Sequence, residues 1–146
     1  MYRSTALSPS VSPMDELTTE PGAYLLVIDL DAPLLLDVPK GASATLPAGR
    51  YGYCGSAYGP GGIRARVARH RRQEKSIRWH IDRLTVVGRV IAVQAKPGGR
   101  ECALMDNLRA LPGASVPVPG FGSSDCRRCP SHLAGLPADF SLPDRA

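Results

Sequence analysis

The sequence predicts an α+β fold: a small domain on a three-stranded mixed or antiparallel central sheet, extended by an inserted hairpin and flanked by helices. Three observations carry this expectation. The segment AYLLVIDL at 23–30 is a short, nearly continuous apolar run, the pattern of a strand covered on both faces. Runs at 50–57 and 90–95 also read as strands, while 63–72, 77–87 and 101–111 place apolar residues at helical spacing. A length of 146 residues suits one domain, which hides roughly two-thirds of its unfolded surface.

Taken in order, residues 1–20 are rich in Ser, Thr and Pro and read as a mobile leader. Pro21-Gly22 is a turn. The first strand ends at Pro33, and Leu34–Val38 and Ala44–Leu46 flank a Lys40-Gly41 turn, which reads as a hairpin. Arg50–Ala57 follows with alternating Tyr51 and Tyr53. Gly59-Pro60-Gly61-Gly62 is a turn and helix entry. Ile63 and Val67 then share a face with His70 or Arg71, and Arg66 and His70 are neighbours at i, i+4. Ile77, Ile81 and Leu84 mark a second helix, ended by Gly88 in the manner of a C-cap. Lys96–Gly99 is a turn after the third strand, and Cys102, Met105 and Leu108 mark the last helix. Beyond Pro112-Gly113 periodicity is lost. The expected organisation is a leader at 1–20, a domain at 21–133 and a Pro-rich tail at 134–146.

Charge is unevenly placed. Residues 64–83 carry eight Lys/Arg against two acids, a net +6, whereas the whole chain carries +5. One segment holds all of the positive excess, the usual footprint of a phosphate-bearing partner. A solvated helix face is the ordinary reading of a charge run, but 64–73 contains no interleaved acid. No run approaches the roughly eighteen apolar residues of a transmembrane helix, and the N-terminal stretch lacks the apolar core of a signal peptide. A membrane role is not expected. The four cysteines are expected as thiols or metal ligands in a reducing cytoplasm.

Two short motifs stand out: Gly22-Ala23-Tyr24 in the first strand and Tyr53-Cys54-Gly55 after the hairpin. With Ser56-Ala57, the helix Ala65–His70, a later Glu-bearing helix and the basic stripe, the chain resembles the GIY-YIG nuclease superfamily. The resemblance covers about residues 21–133. It is strongest to a small-domain branch marked by the inserted hairpin, the Trp79–Asp82 helix and the loop Pro119–Cys126. It implies hydrolysis of phosphodiester bonds in DNA, favoured over RNA, with Mg²⁺ or Mn²⁺, and a protein partner that supplies targeting.

Position by position, the resemblance implies that Tyr53 helps activate the attacking water and that Tyr24 hydrogen-bonds in the same site. Arg66 would stabilise the phosphate, and His70 matches a frequent active-site histidine. Glu101 would bind the metal, with Asp106 as the alternative. Gly55, Ser56, Arg64, Arg69 and His80 are candidate substrate contacts. The chemistry is consistent. Cleavage needs a Lewis acid, a cationic clamp and a group that takes a proton from water. A carboxylate suits Mg²⁺ and an arginine fork suits phosphate oxygens. A tyrosine titrates near 10, so Tyr53 is expected to need nearby positive charge to lower it.

Other readings stand beside these. Tyr24 and Tyr53 also fit as core aromatics, which strands favour. His70 fits as a surface histidine. His80 fits either a backbone contact or the cleft. Cys126, Cys129 and His132 have C-x-x-C-x-x-H spacing, three of the four ligands of a tetrahedral zinc, and Cys102 or the active-site side can supply the fourth. Buried thiols in a helix-capping loop explain the same spacing.

Overall fold

The computed structural model describes residues 17–36, 44–72, 75, 80–117 and 131–140. It is α+β. The elements run β1 (Gly22–Leu30), β2 (Leu34–Leu36), β3 (Ala44–Leu46), β4 (Gly49–Ala57), α1 (Gly62–Arg71), α2 (His80–Thr85), β5 (Arg89–Pro97), α3 (Glu101–Arg109) and β6 (Leu133–Leu136). The central sheet has four strands, not three, in the order β5-β1-β4-β6, and every pairing is antiparallel.

Strand alternation sorts the side chains onto two faces. Tyr24, Leu26, Ile28 and Leu30 of β1 pack with Ile63 and Val67 of α1 and with Ile81 and Leu84 of α2. Ala23, Leu25 and Val27 pack with Cys102, Leu104, Met105 and Leu108 of α3. This explains the unbroken apolar run at 23–30, since both faces of β1 are covered. In β5 the register shifts between Val27 and Ile28 of its partner, skipping Ile91. The extra residue lets Ile91 and Ala92 both join the α3 side.

Three expectations need correction. The hairpin β2-β3 does not widen the central sheet but forms a separate two-stranded sheet. Its Leu36 and Leu46 are buried in the core on the α1 side, so it covers a face instead of adding an edge. The sheet is widened by β6, whose Leu133 pairs with Tyr53. That strand runs from Leu133 to Leu136, across the boundary expected between the domain at 21–133 and the tail at 134–146, and Phe140 packs against the α3-side core. Arg50, held by two bonds to Asp29 at 2.7 and 3.0 Å, also donates to the Phe140 carbonyl. A four-residue strand with a central glycine has too few alternations to read as one, and its partners lie 80 residues away.

The end of the presumed leader is also built in. Leu17 is buried in the core. The carbonyls of Glu20 and Thr18 accept from the amides of Ile63 and Arg64 at 3.0 and 2.9 Å. These are orphan donors of the first turn of α1, which has no side-chain cap. No helix among the described residues is long and apolar enough to cross a membrane.

Gly62 makes this docking fit. Its φ is +62°, and a Cβ there would run into the Thr19 carbonyl oxygen. Left-handed strain and overpacking add here, so Gly62→Ala should cost about 3 kcal/mol. The measurement is the urea midpoint at unchanged m. An unmoved midpoint would discount the close approach.

Candidate functional site

The two tripeptide motifs meet across strands. In the β1–β4 register Tyr24 lies opposite Gly55 and Leu26 opposite Tyr53. Tyr24 and Tyr53 therefore point to one face, the one covered by α1. A Cβ on Gly55 would strike the Tyr24 ring and hydroxyl. Gly55, expected to meet substrate, is thus required because the phenol lies across its backbone. Gly22 serves a parallel need: a Cβ there would meet the Lys96 carbonyl oxygen and the Gly98 amide.

α1 delivers the polar partners. His70 is buried at 1 % exposure, and its Nε2 lies 2.6 Å from the Tyr24 hydroxyl. The rings of Tyr24, Tyr53 and His70 form a triangle with centroid separations of 5.4, 5.9 and 6.4 Å. One turn earlier on the helix, Arg66 lies close enough to the Tyr24 phenol for its charge to oppose the rise in its titration, and it donates to the Ser56 carbonyl at 3.1 Å.

Burial governs the titration of this cluster. It pushes the Tyr24 phenol well above its ordinary 10.0, with the neighbouring Tyr53 adding to the rise and Arg66 opposing it. Burial likewise pushes Tyr53 up, and Arg66 only partly offsets it. The expectation that positive charge lowers Tyr53 is thus reversed, because loss of water outweighs one guanidinium. His70 is driven down to about 3, mainly by burial and secondarily by Lys75. Both tyrosines stay protonated and His70 stays neutral near pH 7. Tyr24 is also only 1 % exposed, so neither it nor His70 can touch a macromolecule directly. Tyr53, Arg66 and Ser56 keep part of their surface at solvent.

The remaining basic residues divide by task. Arg69, expected to meet substrate, grips Asp82 with two bonds of 2.7 and 2.9 Å. Asp82 is fully buried, and removing either partner of such a pair leaves an uncompensated charge. Arg69 thus clamps α1 to α2. Arg64 donates from Nε to the Leu17 carbonyl at 2.8 Å, which ties it to the N-terminal segment. Lys75 donates to the carbonyls of Arg69 and His70 at 3.0 and 2.9 Å, closing the last turn of α1 where cations are favoured. Its ammonium is lowered to about 8, chiefly by burial. Arg71, Arg72, Arg83 and Arg89 are exposed. His80 opens α2, and its side chain lies outside the described residues. The partnership of Asp82 with Arg69 has no local signal, since thirteen residues separate them. Lys75 had one, a basic residue just past a helix end.

The carboxylates lie elsewhere. Glu101 opens α3, on the opposite face of the sheet from the tyrosine cluster. Its charge still acts on Tyr53, weakly raising it. Its close neighbours are Cys102 and His132, and the three donor atoms lie within 4.8 Å of one another. Cys102 Sγ is 4.0 Å from His132 Nε2. Asp106, the alternative, is half-exposed and 4.0 Å from Arg109. Cys126 and Cys129 lie outside the described residues. Cys54 and Cys102 are buried, reduced thiols.

The depressed His70 predicts a pH effect with a definite sign. Below its ordinary 6.5 the unfolded chain binds a proton that the folded chain refuses until about pH 3. Stability from this group is full above 6.5 and falls as pH drops, by up to about 1.4 kcal/mol per pH unit. Urea unfolding between about pH 7 and pH 5 should show this slope, and His70→Gln should reduce it. An unchanged slope would mean that His70 protonates freely in the fold.

Neither a curated protein nor a solved structure matches the chain. The family model described as "Domain of unknown function DUF123" matches residues 23–145, which take in the six described strands but for Gly22, and the chain belongs to that family.

Proposed function

We propose that the protein is an endonuclease of the GIY-YIG type, hydrolysing phosphodiester bonds in nucleic acid, with DNA favoured over RNA. The observation that carries this reading is the convergence of Tyr24, Tyr53, His70 and Arg66 on one face of the sheet. The resemblance selected these four residues from three separate elements, β1, β4 and α1. A core aromatic pair alone would need neither a buried histidine nor an arginine.

Arg66 supports phosphate binding. Its planar fork donates to the Ser56 carbonyl, and a guanidinium of this kind suits the oxygens of a phosphate and the charge that develops on them. Tyr53 stays protonated, so it serves as a hydrogen-bond donor that orients phosphate or water, not as the base. Tyr24 and His70 are positioning residues: they fix the Tyr53 ring from below. Exposed Arg71, Arg72, Arg83 and Arg89 would guide a polyanion. Buried thiols at Cys54 and Cys102 suit a reducing cytoplasm.

The resemblance brings Mg²⁺ or Mn²⁺ with it, and the described donors fit that poorly. Glu101 supplies a hard oxygen, but thiol and imidazole groups stand beside it, and such donors select softer ions. The second reading is a nucleic-acid-binding module without catalysis. The raised phenols of Tyr24 and Tyr53 favour it, because neither is a ready base. A targeting partner protein is compatible with both readings.

The test incubates the protein with branched, nicked, single-stranded and duplex DNA and with RNA, each with Mg²⁺, Mn²⁺ or Zn²⁺. Metal-dependent cleavage is expected, falling about 100-fold or more in Tyr53→Phe and in Arg66→Ala. Binding should persist in Tyr53→Phe. Salt-sensitive binding that never leads to cleavage assigns the chain to the second reading. Cleavage indifferent to both substitutions removes this site from the reaction.

A further inference from the structure

We infer that Glu101, Cys102 and His132 form a binding site for a zinc-type divalent cation, one that ties the first turn of α3 to the entry of β6. This goes beyond the nuclease reading and does not depend on it.

Three different donors converge from two distant parts of the chain. Glu101 and Cys102 are consecutive at the start of α3. His132 lies thirty residues further on, directly before β6. The carboxylate oxygen, the sulfur and an imidazole nitrogen all lie within 4.8 Å of one another. In a tetrahedral site, a Zn–S bond of about 2.3 Å and a Zn–N bond of about 2.05 Å set sulfur and nitrogen roughly 3.6 Å apart. The observed separation is 4.0 Å. An entering ion would need to draw the two groups together by only about 0.4 Å.

The backbone on both sides holds these donors in place. The Cys54 amide donates to the His132 carbonyl at 3.0 Å, which extends the β4–β6 ladder to His132. Ser131 Oγ accepts from the Leu133 amide at 3.1 Å and donates to the Leu133 carbonyl at 3.3 Å, bracketing His132 in a local turn. Cys102 and His132 are 8 and 6 % exposed, while Glu101 is half-buried at the edge of the site. Two buried donors with a carboxylate at the mouth leave an approach for an ion from one side.

Donor type chooses the ion. Magnesium takes oxygen ligands and holds its waters. A thiolate, an imidazole and a carboxylate together suit zinc. Three protein ligands leave one tetrahedral position for water or for another donor of the chain. Binding releases the thiol proton from Cys102 to solvent. The physical consequence is a cross-link: β6 is a four-residue edge strand, and the ion would anchor its entry to α3.

The experiment strips the full-length protein with a chelator and adds zinc chloride. One equivalent should bind, with a melting temperature raised by about 5 °C, and millimolar Mg²⁺ should not reproduce the shift. Cys102→Ala and His132→Ala should each weaken zinc binding at least about 100-fold. Cobalt chloride provides a readout that survives poor folding of those variants. The native chain and a Cys126→Ser/Cys129→Ser chain should both show a thiolate-to-cobalt charge-transfer band. Zinc retained in Cys102→Ala, a cobalt band lost with Cys126 and Cys129, or no zinc uptake by the native chain would each overturn the proposal. None of these readouts involves nucleic acid, so the site and the nuclease reading fail separately.

Discussion

Tyr24 can lie where it does only because residue 55 has no side chain. The β1–β4 register sets the two residues opposite each other, and the phenol occupies the space that a Cβ would need. Much follows from this contact. It brings the hydroxyl to His70, which draws α1 onto the sheet, and it sets Tyr53 beside the pair. The two tripeptides that are separate in sequence are one cross-strand unit in space. Their Tyr and Gly are halves of a single steric requirement.

Burial then decides what this unit can do. The tyrosine phenols are raised and His70 is lowered, so each group is held neutral. A neutral cluster beside an arginine is a rigid support for a charge-binding fork. The Tyr24 hydroxyl and His70 Nε2 are spent on each other, which offsets part of the cost of burying them. Contact with solvent is thereby left to the part-exposed residues, Arg66 and Tyr53. The basic helix is divided in the same way. Arg64 and Arg69 hold α1 to the N-terminal segment and to α2, and the more distal arginines face solvent. A net charge of one sign along a helix thus hides two roles.

The second face has a different character. Glu101, Cys102 and His132 meet at the joint between α3 and the sheet edge. Their donor types disagree with a magnesium site, and they lie on the α3 side of the sheet, across from the tyrosine cluster.

By itself the sequence determined the α+β class, the strands β1, β4 and β5, and the helices α1 and α3, because each rests on local periodicity over nine or more residues. The family resemblance of its motifs, not periodicity, singled out Tyr24, Tyr53, Arg66 and His70. Tertiary structure decided the rest. β6 has four residues and a glycine, too short for alternation to register. Leu17 and the carbonyls of Thr18 and Glu20 are structural only because α1 lacks a side-chain cap. Asp82 pairs with Arg69, and Cys102 meets His132, across separations that no local pattern spans. Periodicity records which face a residue shows, whereas the identity of the group that meets it is fixed only when the chain closes on itself.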